Sequence, residues 1–393
     1  MMLPCSSTTS ASRSSLRVFC SVVAVSVLFK LFLSQVGHNF DMDSYHIVAN
    51  LVANGKNVYM GTARYNYGPI WFFILAALKW VQEHIPTIQL AESFHFYVAF
   101  FLAWVDAALA WIAWKKYRDL AAAVIFLLNP VSLLITGYHS QFDNFAILIA
   151  ILSVFVYTSR LRCAEYLGLA LLGGSLTLKH VFVFFPIWLF FSETVVLRGR
   201  GARWFALCVP ILIFLLSFTP YLFTAGAADA IVKNVFQYNS AHNYGFFPHL
   251  LGFVAPVQEL DKWLAGIPIF SGTKFLWLCA MTVSGYIFRK RSLEELVLLY
   301  TIALCVFSTA IADQYLVIPV LAACLLVPRS LLYWYFGVAT IYLILPPSNC
   351  YHLHSLAKLF PKGLVCRWHA LLPLFLFLTL HLWRDWKKRD VRT

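Results

Sequence analysis

Apolar residues in this chain of 393 residues fall into long runs that short polar loops separate. A helix that crosses a membrane needs about 20 mostly apolar residues. Runs of roughly this kind cover residues 17–36, 93–114, 119–137, 142–158, 163–178, 181–197, 204–224, 264–288, 294–311, 314–328, 331–346 and 365–384. The pattern predicts an all-α polytopic membrane protein with about 12 transmembrane helices.

One further apolar run, residues 69–85, does not fit as a span. If it crossed the membrane, Lys115 and Lys116 would lie on the opposite side from Arg13 and Arg17, against the positive-inside rule. We therefore expect it to be an amphipathic interfacial helix in the first outer loop. The predicted cytoplasmic segments then hold 19 of the 30 Lys and Arg residues, and both chain ends are cytoplasmic.

Composition supports the membrane assignment. The chain is 61% hydrophobic, 17% aromatic and only 12% charged, whereas soluble domains average about 25% charged residues. The net charge of +13 is explained by topology, so we expect no nucleic-acid partner. The nine cysteines fit neither a metal pattern nor a disulfide framework. We expect a disordered cytoplasmic tail over 1–16, a single transmembrane domain over 17–386 and a basic cytoplasmic tail over 387–393.

Polar residues gather on the outer side of the predicted bundle. The junctions on that side contain Asp41 to Tyr67, Tyr138 to Asn144, Lys179-His180, His242 and Asp313-Gln314-Tyr315. Polar groups near a membrane interface either hold helices together or form a site. Five such junctions on one side predict a cavity that opens outward.

Each polar group also has a structural interpretation. Asp41 and Asp43 could provide a general base, or could be a solvated pair near a helix start, where negative charge is favourable. Asp143 or Asn144 could cap the next helix, which would leave His139 and Gln141 free to contact a ligand. Lys179 could snorkel to the interface or, with His180, contact a phosphate.

Two charges lie within predicted spans. Asp106 is deep in its span, where an ion needs a partner, so we expect structural pairing. Lys30 is close enough to the outer end of its span to snorkel.

The ordered polar motifs resemble the GT-C superfamily of glycosyltransferases, and most closely the dolichyl-phosphate-glucose-dependent glucosyltransferases of N-glycan assembly and their bacterial relatives. The resemblance covers about residues 37–190. The family has an acidic residue in the first luminal loop, which Asp43 or Asp41 resembles. Its Tyr-Pro-Pro motif is resembled by Tyr67-Gly68-Pro69, and its His-Phe-Gln-Tyr-Asn loop by His139-Ser140-Gln141-Phe142-Asp143. Its Lys-His pair is resembled by Lys179-His180.

The resemblance implies an inverting hexosyltransferase with a polyprenyl-phosphate sugar as donor and a lipid-linked or glycan acceptor. It implies Asp43 as the base, with Asp41 as the alternate. Substrate contacts would come from Tyr65, Tyr67, His139, Gln141 and Asp143, and phosphate contacts from Lys179, His180 and His242. No metal or other cofactor is expected. The site would face the lumen of the endoplasmic reticulum or the bacterial periplasm.

Two other functions fit the same pattern. Twelve spans also suit a transporter or flippase of lipid-linked sugars, although such proteins tend to have internal repeats and polar sites at the midplane. A non-catalytic assembly subunit could retain the fold, and its function would survive replacement of Asp41 and Asp43.

Overall fold

The computed structural model describes residues 8–85, 93–194, 201–237, 272–308, 312–345 and 367–390. Within these ranges the protein is helical and has no β-strand. This confirms the predicted all-α class.

The first half of the described chain contains nine of the helices that we number. They are α1 (Thr8–Val36), α2 (Phe40–Ala53), α3 (Val58–Gly61), α4 (Pro69–His84), α5 (Phe94–Lys115), α6 (Leu120–Leu128), α7 (Pro130–Ser132), α8 (Asp143–Tyr157) and α9 (Ala164–Leu178). A π-helical segment, Leu133–Tyr138, continues α7, and a 3-10 turn, His180–Phe182, follows α9.

The second half continues the helical pattern. Its helices are α10 (Phe185–Phe191), α11 (Ala202–Leu216), α12 (Ala227–Ile231), α13 (Gly272–Phe288), α14 (Leu293–Phe307), α15 (Val320–Leu326), α16 (Arg329–Ile344) and α17 (Arg367–Asp390). Short 3-10 or π-helical segments lie at Thr219–Tyr221, Val232–Phe236 and Asp313–Val317.

Each predicted span contains at least part of a helix, but few of these helices are long and apolar enough to cross a membrane. Among the described residues, three helices meet both requirements: Arg13–Val36, Phe94–Lys115 and Ala202–Tyr221. Two bent pairs raise the number to five if each counts as one span: Leu120–Leu128 with Pro130–Tyr138, bent by 46°, and Ala164–Leu178 with His180–Phe191, bent by 115°.

Several predicted boundaries differ from the structure. Helix α1 begins at Thr8, so residues 8–16 of the predicted disordered tail are helical. Helix α17 extends to Asp390, into the predicted basic tail. The predicted helix at 69–85 is present as α4, with Pro69 in its first turn, where the fixed φ of proline suits a helix start.

A buried ion pair joins α1 to α5. The Nζ atom of Lys30 lies 2.5 Å from Oδ2 of Asp106, and both side chains are fully buried. Two further donors reach the same carboxylate: the Ser132 hydroxyl at 3.2 Å and the Asn144 amide at 2.7 Å. The predicted pairing of Asp106 is confirmed. The prediction that Lys30 snorkels is wrong, because its ammonium points into the bundle toward Asp106.

Helix α5 runs between two ends of the molecule, and the side chains at these two ends differ in chemistry. Its 22 residues span about 33 Å. At its Lys115 end, basic side chains pair with acids: Lys116 with Glu294, Arg289 with Glu193, Arg291 with Asp385 and Arg329 with Asp119. We call this the basic end. Near its Phe94 end, the His46 ring of α2 contacts Phe94 at 4.8 Å between centroids.

Replacing Asp106 by Ala should strongly destabilise the protein, because it leaves the Lys30 ammonium buried without a counter-charge. We expect a loss of about 3–5 kcal/mol in the free energy of unfolding in detergent. Lys30→Met in the same chain should recover much of that loss. As a control, Glu83→Gln removes only an exposed partner of Lys79 and should cost less than about 1 kcal/mol. Equal losses for Asp106→Ala and Glu83→Gln would contradict this interpretation of the pair.

Candidate functional site

Four polar side chains from separate parts of the chain meet at the end of the bundle remote from the basic end. The amide of Gln141 donates to Oδ2 of Asp41 at 2.6 Å. The Nζ atom of Lys179 donates to Oδ2 of Asp143 at 2.7 Å and to Oε1 of Gln141 at 3.4 Å. We call Asp41, Gln141, Asp143 and Lys179 the polar network.

Helix α2 supplies Asp41. Asn39 caps this helix and accepts a hydrogen bond from the backbone N–H of Asp41 at 3.2 Å. Tyr45 and Val48 lie four and seven positions after Asp41, so all three share one helix face, and Tyr45 and Val48 are buried. The capped start and the apolar anchor of α2 therefore direct Asp41 toward the polar network.

The turn between α7 and α8 supplies Gln141 and leads into Asp143, the first residue of α8. It is buried from His139 to Asn144, although it connects two helices. Ser140 adopts a positive φ of 49°, and the backbone N–H of Gln141 donates to Ile135 O at 3.1 Å. Phe142 is the N-cap residue of α8 and makes no side-chain cap. The predicted capping by Asp143 or Asn144 is therefore wrong, because their side chains bind Lys179 and Asp106 instead.

Lys179 lies at the 115° break between α9 and the segment that follows. Its ammonium faces inward, 4.5 Å from the centroid of the Phe142 ring and 5.2 Å from that of Tyr67. Cations are attracted to the faces of aromatic rings at such distances. Because only 4% of its side chain is exposed, Lys179 does not snorkel to the interface.

Aromatic rings form a wall beside the polar network. Trp71 stacks on Phe142 with centroids 4.2 Å apart, and Tyr67 contacts Phe142 edge-on at 4.9 Å. Tyr67 also lies 6.1 Å from the His180 ring. Tyr65 has a different position: it is buried, and its hydroxyl donates to Gly68 O at 2.6 Å. Tyr67 thus lies between Lys179 and His180, whereas Tyr65 holds the loop in shape.

Gly68 brings this loop against α9. A Cβ atom at this position would lie 2.0 Å from Thr177 O, which is far too close for any side chain. The contact places Tyr67 directly across from Lys179, two residues after Thr177. The requirement for glycine explains why the second position of the Tyr-Gly-Pro sequence has no side chain.

His139 is fully buried at the same end of the bundle. Burial lowers the pKa of His139 to about 4, and the charge of Asp313 opposes this effect. Asp313 is buried and accepts a hydrogen bond from the Tyr342 hydroxyl at 2.5 Å. Asp313 therefore adds a carboxylate from the second half of the chain. The sequence places it in one of the five polar junctions but gives it no role there.

Not every predicted site residue joins the polar network. Asp43 lies on the other side of α2, with 53% of its side chain exposed, and its Oδ1 atom is 3.8 Å from Nδ1 of His38. His180 is half-buried, and its ring lies beside that of Tyr67. His242 lies outside the described residues.

The polar network contains more acidic than basic groups. Two carboxylates face one ammonium, so the network carries a formal charge of −1 when both acids are ionised. Burial raises the pKa of Asp41, while the charge of Lys179 and the hydrogen bond from Gln141 lower it. Oδ1 of Asp143 is buried and has no hydrogen-bond partner among the described residues. The same residues include no group of three His, Cys, Asp or Glu side chains suited to a metal ion.

Comparison of the chain with protein-family models, with curated proteins and with solved structures gives no match.

Gly68→Ala should displace the loop from α9, because the added methyl group would overlap Thr177 O. We expect a loss of thermal stability and of any ligand binding that needs Tyr67 beside Lys179. Gly174→Ala is the matched control on α9, since a Cβ there meets nothing within 4 Å and alanine favours a helix by up to about 1 kcal/mol. Melting temperatures of both variants in detergent would test this. A Gly68→Ala protein as stable as the Gly174→Ala protein would contradict the close contact.

Acidification should destabilise the fold through His139. Its pKa is about 4 in the folded protein against about 6.5 in an unfolded chain. Between these values the unfolded chain binds the extra proton, so stability falls as the pH drops from 6.5 to 4, by roughly 3 kcal/mol. His139→Gln should reduce this pH dependence, measured from unfolding curves across the same pH range. His84→Gln, at an exposed position, should leave it unchanged, and equal effects of the two variants would count against the assignment.

Proposed function

We propose that the protein is an inverting glycosyltransferase of the GT-C type, which moves a hexose from a polyprenyl-phosphate donor to a lipid-linked or glycan acceptor. The observation that carries this proposal is the polar network, in which two acids and one lysine from distant parts of the chain meet in a buried, aromatic-walled environment. An ion pair that only stabilises a fold needs one acid for each base. Here Gln141 connects a second acid to the ion pair, which favours a site that accepts a proton and binds a charged group.

Asp41 is the better candidate for the general base. A base must lie within hydrogen-bond reach of the acceptor hydroxyl and is most effective when its pKa is close to the working pH. Asp41 belongs to the polar network and has a raised pKa. Asp43 faces outward beside His38, so we assign it no part in the chemistry.

The transfer is a single displacement. The acceptor oxygen attacks the anomeric carbon of the donor and gives its proton to Asp41, while the bond from that carbon to the phosphate oxygen breaks. The phosphate leaves with the electron pair of that bond, and configuration at the anomeric carbon inverts. A phosphate leaving group needs little acid assistance, so the main requirement is stabilisation of its charge. Lys179 and His180 are the groups proposed to provide it.

The remaining residues have proposed binding roles. The free Oδ1 atom of Asp143 can accept a sugar hydroxyl, and unsatisfied buried acceptors are costly unless a partner arrives. Tyr67 borders the same region, and His139 lies in the same buried turn as Gln141. We propose that these residues orient the donor sugar.

The proposed arrangement in the membrane follows the charge distribution. About 12 spans would place the basic end on the cytoplasmic side, in agreement with the positive-inside rule. The polar network would then face the lumen of the endoplasmic reticulum or the bacterial periplasm. Helix α4 would lie in that outer interface.

A flippase or transporter of lipid-linked sugars is the second candidate. The observation that favours it is the break at Lys179, because transporters often place charged groups at interrupted helices. Asp41 follows the end of α1, where Gln35 bonds Ser93 beside the start of α5, and a base toward one end of the bundle favours the transferase.

Asp41→Asn should abolish sugar transfer, because the amide cannot accept the proton, with a loss of at least about 100-fold. Asp43→Asn is the matched control, two residues away on the same helix, and should retain activity within about twofold of the wild type. The measurement supplies short-chain polyprenyl-phosphate glucose, or its mannose analogue, with radiolabelled sugar to purified membranes. Label is then followed into lipid-linked and glycan fractions.

Each other outcome has a defined meaning. Loss of transfer in Asp43→Asn but not in Asp41→Asn would keep the enzyme class and reject our base. Label that crosses the bilayer without joining an acceptor would reject the transferase and favour the flippase. Full transfer by both variants would keep the enzyme class and reject both acids as the base. No transfer by the wild type or by either variant, with glucose and mannose donors alike, would reject the transferase and favour a non-catalytic protein.

A further inference from the structure

The first two residues of α8 connect two separate buried networks. Asp143 receives the Lys179 ammonium at 2.7 Å, whereas the Asn144 amide donates to Oδ1 of Asp106 at 2.7 Å. Consecutive helix residues point about 100° apart. One side chain of this helical turn therefore points to the polar network, and the next points to the ion pair that joins α1 and α5. Both side chains are buried.

The Asp106 end of this connection is firmly held. Its carboxylate also receives Lys30 of α1 and Ser132 of α7. Gly137 lets α1 approach closely here, because a Cβ at that position would lie 2.9 Å from the Cα atom of Lys30. Asp106 is therefore fixed from three directions inside the bundle.

The start of α8 has few other polar restraints. Its N-cap residue, Phe142, makes no side-chain cap. Among the described residues, the side-chain hydrogen bonds of its first turn are those of Asp143 to Lys179 and of Asn144 to Asp106. The Ser175 hydroxyl of α9 also donates to Ala146 O of this turn, at 2.8 Å. Among the described residues, the bond of Asn144 to Asp106 is thus the one that a first-turn side chain makes outside the polar network.

We propose that Asn144 is a positioning residue, which uses the buried Asp106 to hold Asp143, and through it Lys179, in register with Asp41. This inference rests on the proposed function. Asn144 itself contacts neither the donor nor the acceptor in this arrangement. Its effect on transfer is carried by the placement of the neighbouring carboxylate.

The proton affinity of Asp41 provides a readout of that placement. The charged or titratable groups that face Asp41 in the described structure are Lys179, Asp143, Tyr45 and Tyr67. Burial raises the pKa of Asp41, and Lys179 is the strongest influence that lowers it. If Lys179 moves away, the pKa of Asp41 rises further. The acidic side of the pH profile of kcat/KM, which we call its acid limb, then moves to higher pH.

Asn144→Leu removes the connection, and Ser132→Ala is its matched control. Both side chains donate to Asp106, but only Asn144 belongs to α8. We expect Asn144→Leu to lower kcat by roughly 10- to 100-fold, as small misplacements of reacting groups do, and to shift the acid limb upward. Ser132→Ala should leave both quantities close to those of the wild type. Equal acid limbs and equal kcat in the two variants would overturn the inference.

A second measurement separates this inference from the proposed function. Thermal unfolding in detergent needs no activity, so it applies even if the wild type transfers no sugar. Asn144→Leu combined with Lys179→Met should be non-additive in melting temperature, because both changes affect the same first turn of α8. Ser132→Ala combined with Lys179→Met should be additive. Additivity in both pairs would overturn the proposed link, whereas failed transfer alone would reject only the proposed function.

Discussion

A charge that is removed from water must meet an opposite charge or several hydrogen-bond donors, because an isolated buried ion costs several kcal/mol or more. The bundle buries Lys30 and Asp106 completely and satisfies them with each other and with Ser132 and Asn144. This requirement fixes α1, α5, α7 and the start of α8 relative to one another. The polar network is built beside that arrangement, because its Asp143 directly precedes Asn144 in α8.

The polar network obeys the same requirement less completely. Lys179 faces two acids through Asp143 and Gln141, and one oxygen of Asp143 lacks a partner among the described residues. Both oxygens of the Asp106 carboxylate receive donors, whereas Oδ1 of Asp143 receives none among the described residues. That difference is the reason we propose that the polar network, and not the Lys30 pair, receives a ligand with hydroxyl and phosphate groups.

Apolar runs predicted the all-α class, because backbone groups in such segments must bond within the segment. The predicted number of about 12 spans is not confirmed, since three helices, or five spans with the two bent pairs, meet the length and hydropathy of a crossing among the described residues. The partner of Lys30 could not be predicted, since Asp106 is 76 residues away in the chain and only the packing of α1 on α5 brings them together. The inward direction of Lys179 was equally hidden, because it depends on the bend after α9. Asp41 was within reach of sequence reasoning: it shares a helix face with Tyr45 and Val48, whereas Asp43 does not.

Binding of the donor tests the central claim most directly, because it does not depend on the acceptor. The measurement is the melting temperature of purified protein in lipid nanodiscs, with and without a short-chain polyprenyl-phosphate hexose. We predict that the donor stabilises the wild type and Asp41→Asn, which lacks only the base, and does not stabilise Lys179→Met, which lacks the cation proposed to hold the phosphate. Equal stabilisation of all three proteins, or of none by glucose and mannose donors alike, would contradict the account.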